Sequence, residues 1–133
     1  MAKVSCSIPI EGVGVTKKTD HFVKEISAFV EMTERLRETL ARYKRANSNL
    51  ARRVARGESV LEAFDAMDGA MDRQRELTEM LDEFEEARHR VRLALFELAR
   101  AQGATVSELG RRLGISRQLA SRLATEATAE ADP

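Results

Sequence analysis

The chain has no tryptophan, one tyrosine and five phenylalanines, so aromatics make up 5% of its 133 residues. That leaves little bulky mass for a globular core, while a charged fraction of 33% suits long helices. The single cysteine, Cys6, excludes an intramolecular disulfide and fits a reducing compartment. No apolar run approaches the ~20 residues a membrane span needs. The first residues lack the charged-then-apolar order of a signal peptide. Net charge is absent too: 22 basic side chains balance 22 acidic ones, so any case for an acidic or basic partner rests on distribution. These absences predict a soluble, cytoplasmic protein of at most one compact domain, or a small domain with an elongated element.

Catalytic and metal-binding patterns are equally sparse. Glu86 and His89 form an E-x-x-H, half of a di-iron helical motif, but the only other histidine, His21, has no glutamate three residues before it. Cys6 and the serines have no histidine in a nucleophile-and-base arrangement, and there is no glycine-rich phosphate loop. We therefore expect no enzyme activity, no metal and no cofactor.

What is present is helical periodicity. Residues 1–19 differ from the rest: Val4, Cys6, Ile8 and Ile10 alternate with Ser5, Ser7 and Pro9, and Val13 and Val15 follow Gly12 and Gly14. They read either as a short strand with a returning partner or as a tail. From Asp20 to Arg56 an apolar stripe steps alternately by four and three, through Phe22, Ile26, Phe29, Thr33, Leu36, Leu40, Tyr43, Asn47, Leu50 and Val54. That is a heptad pattern over one long helix, widened by Val23 and Val30. Gly57 ends it, and Ser59 with Glu62 has the spacing of a capping box. A second long helix is predicted from Val60 to Gln102, with Ala63, Met67, Ala70, Gln74, Leu77, Leu81, Phe84 and Arg88 on its stripe. A short connection between two long helices implies an antiparallel hairpin. Residues 20–87 are expected to form that hairpin and to dimerise through it, because the stripes are wider than one hairpin can cover.

Charge is segregated along this frame. Residues 20–56 carry nine bases and five acids, and residues 58–86 carry two bases and eleven acids. The two helices of a hairpin would therefore attract each other. Residues 88–122 reverse the sign again, with eight arginines against Glu97 and Glu108. Arginine suits planar, bidentate contact with phosphate or guanine. The balanced total hides a basic head on a partly acidic stalk.

The head, residues 88–127, holds the most specific pattern, TVSELGRRLGISRQLASRL at residues 105–123. Thr105 and Glu108 have capping-box spacing. Leu109 and Leu113 lie on one face, Gly114 can take the positive φ of a tight turn, and Ser116 is a good N-cap for the next helix. Leu119 and Leu123 continue the apolar face. Leu95, Leu98 and Ala99, on the end of the long helix, are expected to complete the core. The stretch resembles the helix-turn-helix DNA-binding regulators in its Leu109-Gly110 pair, its Leu113-Gly114-Ile115-Ser116 turn and its Ser121-Arg122-Leu123 end. It departs from them at Gly110, where Ala is commoner, and at Ala120, where Ile or Val usually wedges the helices.

The resemblance implies an all-α fold with a three-helix C-terminal head and a recognition helix starting at Arg117. Arg117, Gln118, Ser121 and Arg122 would then face base edges in the major groove. Thr105, Ser107, Arg111, Arg112 and Ser116 would meet phosphates. The expected partners are double-stranded DNA and a second copy of the chain, with a protein partner on the helical bundle also open. The expected function is transcriptional regulation by a homodimer, on the nucleoid if the cell is bacterial. Two alternatives stay open: an architectural protein that bridges duplexes, and a coiled-coil adaptor that binds no DNA. Residues 128–133 read as a disordered tail.

Overall fold

A computed structural model describes residues 13–131. All regular structure among them is helical: α1 (Val13–Ala55), α2 (Val60–Asp65), α3 (Ala70–Ala101), α4 (Val106–Leu113) and α5 (Arg117–Ala131). The chain divides into two compact units. The first takes the start of α1, as far as Ser27, with everything from His89 onward; the second is Ala28–Arg88. The sequence placed residues 20–27 with the long-helix pair, whereas they pack with the head.

Three boundaries differ from expectation. Val13 and Val15 lie in α1 and do not form a returning strand, while the alternating residues 4–10 fall outside the described part. Within the first unit Lys18 on α1 approaches Glu97 on α3 at 4.0 Å, so the early turns of the helix have a packing partner that local strand propensity did not anticipate. At the other end, α5 continues past Ala127 to Ala131. Ala127 is buried there, and the Thr128 hydroxyl donates to the Ala124 carbonyl at 3.0 Å.

The third difference lies between Val60 and Gln102. The single predicted helix is two, separated at Ala66–Gly69. Ala66 closes α2, and Gly69, in a left-handed conformation at φ +72°, leads into α3, its carbonyl accepting from the Arg73 N–H at 2.8 Å. Arg73 holds the corner, its guanidinium donating to the Asp68 carbonyl at 2.7 Å. Ser59 caps α2 by accepting from the Glu62 N–H at 3.1 Å.

In the second unit α1 and α3 pair in opposite senses. Phe29 stacks on Phe84 with ring centroids 4.9 Å apart, Arg35 reaches Glu83 at 3.7 Å, Arg42 reaches Glu76 at 2.9 Å, and the Tyr43 hydroxyl donates to Gln74 at 3.3 Å. The buried seam is Met32, Leu36, Met80 and Ala87, with Phe29, Leu77 and Phe84 against it. Phe29, Leu36, Leu77 and Phe84 lie on the predicted stripes, while the positions between them shift by one residue. Met32 and Thr39 are buried where Thr33 and Leu40 were expected. On α3, Met80 and Ala87 are buried where Leu81 and Arg88 were expected. Thr33 instead donates to its own helix, at the Phe29 carbonyl, and Arg88 pairs with Glu85.

Candidate nucleic-acid interface

The first unit has its own core. Phe96 on α3 is 0% exposed, and Leu109, Ala120, Leu123, Ala124 and Ala127 close round it from α4 and α5. Leu93 and Ala99 pack from the same helix. Of the three α3 residues expected here, Ala99 joins this core, while Leu95 and Leu98 are only half-buried and stand outside it. Phe96 was missed because the stripe extended from the long-helix pair runs one residue to its side.

Local hydrogen bonds set α4 and α5 at a fixed angle. Both halves of the capping box form: the Glu108 N–H donates to the Thr105 hydroxyl at 3.1 Å, and the Thr105 N–H donates to the Glu108 carboxylate at 2.8 Å. That backbone donor, then the Thr105 hydroxyl, then Arg112 and Arg111 hold the Glu108 carboxyl below the usual carboxylate range. Gly114 ends α4 at φ 68°, ψ 32°, with its N–H on the Arg111 carbonyl and the Ile115 N–H on the Gly110 carbonyl. These are the two bonds of a Schellman ending, which needs a left-handed residue at this position. Ser116 then caps α5, accepting from the Leu119 N–H at 3.0 Å.

The candidate contact residues separate by position. Ser107, Arg111 and Arg117 come together round a cleft of about 250 Å³ between α4 and α5, floored by Gly110, Ile115 and Ala120. Arg112 lines a different cleft, with Gln102 and Glu108. Gln118, Ser121 and Arg122 are exposed along the outer side of α5. Thr105 and Ser116 have structural duties, since both hydroxyls accept the capping bonds just described.

Arginine pairing divides the basic segment further. Arg88 is matched by Glu85 at 3.2 Å and Arg90 by Glu25 at 3.5 Å. Arg111, Arg112, Arg117 and Arg122 are all exposed and form no ion pair within 4 Å among the described residues. Arg92 and Arg100 on α3 are likewise unpaired, so four of the six unpaired arginines of the basic segment lie on the two helices of the turn. His89, the histidine of the E-x-x-H, lies 2.8 Å from Glu126 on α5.

Residues 90–130 match a MarR family model, a family of winged helix-turn-helix transcriptional regulators. This segment is a helix-turn-helix module of the DNA-binding regulators. The match runs from the last part of α3 through α5 and does not extend to the second unit. No curated protein and no solved structure matches the chain. No helix among the described residues is long and apolar enough to cross a membrane.

Proposed function

We propose that this protein is a homodimeric transcriptional regulator that reads the major groove with α5. The observation that carries the reading is the set of exposed, unpaired guanidiniums on α4 and α5, on the module that matches a DNA-binding regulator family. An unpaired arginine keeps its full electrostatic attraction for phosphate, whereas one already bound to a carboxylate must first give that up.

In this reading the outer side of α5 enters the groove. Arg117 suits a bidentate contact with guanine and Gln118 with adenine, while Ser121 and Arg122 lie one turn on, at the i+4 positions. Ser107, Arg111 and Arg112 take phosphates and set the register of the helix. Thr105 and Ser116 act first as caps and stand beside the same backbone path. One head covers few base pairs, so affinity comes from a second copy, which also sets the spacing between two half-sites. The long-helix pair of the second unit is the element assigned to that dimer contact.

A mobility-shift titration against DNA enriched from a random pool tests this. The reading expects a discrete complex on the enriched site, far weaker binding to random DNA, and loss of the complex in Arg117→Ala and Arg122→Ala. Equal, steeply salt-dependent binding to every sequence would indicate an architectural role instead.

A further inference from the structure

The seam between α1 and α3 in the second unit is closed on one side and open on the other. Four residues carry an α-helix about 40° beyond a full turn. Because the two helices run in opposite senses, an equal advance on each moves toward the same side of the seam. Leu40 lies four residues past the seam residue Leu36, and Leu81 four past Leu77. The two leucines therefore flank the seam on one side, where they are 43% and 44% exposed. Val30 and Met71, each six residues before its seam leucine, fall further round on that side and are also exposed. On the opposite side Met32, Thr39, Met80 and Ala87 are buried, and the pairs Arg35–Glu83 and Arg42–Glu76 cross over them.

We propose that the open side is covered by a second copy of the chain, with α1 of each subunit lying on α3 of the other. The proposal rests on the dimer reading above and names its contact face. Apolar side chains exposed together on one side of a helix pair are the usual mark of an association surface. Charge identifies the occupant. On the open side α1 carries Arg37, held by Glu34 at 2.8 Å, and Lys44, while α3 carries Asp82 and the pair Glu85–Arg88; Lys44 and Asp82 form no ion pair among the described residues. A two-fold axis parallel to the helices sets basic α1 on acidic α3 twice, whereas a perpendicular axis would set like on like.

The ion pairs between α1 and α3 also fix the level. Arg35 meets Glu83 and Arg42 meets Glu76, so Arg37 is level with Leu81 and Asp82. A parallel two-fold preserves level, so Arg37 of one subunit meets Asp82 of the partner subunit. Asp82 forms no ion pair among the described residues.

Sedimentation equilibrium of the full chain, with circular dichroism as the control for folding, tests the arrangement. The wild type is expected to dimerise at micromolar concentration, and Leu40→Glu/Leu81→Glu to be monomeric with unchanged helicity. Arg37→Glu and Asp82→Arg alone each place like charges together twice, and each should raise the dissociation constant at least ~10-fold. Mixed in equal amounts, they should recover dimer as a heterodimer, because both contacts are then opposite in sign. A wild-type dimer that survives Leu40→Glu/Leu81→Glu, or a mixture no tighter than its components, overturns this face and leaves the dimer reading standing. If the double variant loses helicity, the exposed charge variants decide alone. A monomeric wild type removes both the face and the dimer reading.

Discussion

Gly110 and Ala120 face each other where α4 crosses α5, so closely that a β-carbon on Gly110 would lie 3.3 Å from that of Ala120. Each residue departs from the commoner helix-turn-helix pattern, and taken singly each suggests a weakened corner. Together they are one adjustment: with no side chain on Gly110 and a single methyl on Ala120, the helices approach until both residues are buried. Ala120 is 1% exposed and no gap is left for a wedge. Gly110→Val should therefore destabilise the protein by about 1–3 kcal/mol through overpacking, read from urea unfolding. An unchanged midpoint would show that the crossing is looser than described.

How much of this was legible in the sequence depended on how local the determining contacts were. The capping box at Thr105, the turn at Gly114 and the cap at Ser116 use hydrogen bonds spanning at most five residues, and all three were readable in advance. The long-helix seam was legible by half, at Phe29, Leu36, Leu77 and Phe84. Between these shared positions, stripes through Leu40 and Leu81 and stripes through Met32 and Met80 differ only in the order of their three- and four-residue steps. Only the partner helix selects between them, and it buried the methionines. The break at Gly69 was hidden because Val60, Ala63, Met67 and Ala70 keep helical spacing across it; the Asp68-Gly69 pair was the available turn signal.

Phe96 carries the core of the first unit, fully buried among side chains from α4 and α5. Phe96→Ala should cost about 3–5 kcal/mol, a large share of what a small unit has to spend. Loss of α4–α5 packing, followed by hydrogen exchange, should accompany loss of DNA binding. Retained protection in α5 would contradict the central place given to this ring.

The capping box gives stability a pH dependence of known sign. The Glu108 carboxyl is held below its ordinary value when folded, so its contribution is complete above the unfolded value and fades as pH falls through the folded one. Glu108→Gln should be less stable than the wild type near neutral pH, and the gap should narrow in acid. Thr105→Ala removes the other half of the box and should cost about 1 kcal/mol. A gap between wild type and Glu108→Gln that is constant from neutral pH to pH 3 would mean that the carboxylate plays no such part.

The arginines of α4 and α5 should separate by phenotype. Arg111→Ala and Arg112→Ala are expected to weaken binding equally on all sequences, each reducing the salt slope by about 1. Arg117→Ala should cost about 1–3 kcal/mol on the preferred site and relax selectivity at one base position. Identical salt slopes for these three alanine variants would undo the division between phosphate and base contacts.

The most direct test of the account is selection from a random DNA pool by the wild type and, in parallel, by the Arg117→Ala/Arg122→Ala variant. The account predicts that the wild type enriches a defined sequence and that the variant, with unchanged helicity, enriches none. Failure of the wild type to retain any DNA at low salt, or enrichment of the same sequence by the variant, would contradict the assignment of α5 as the reading helix.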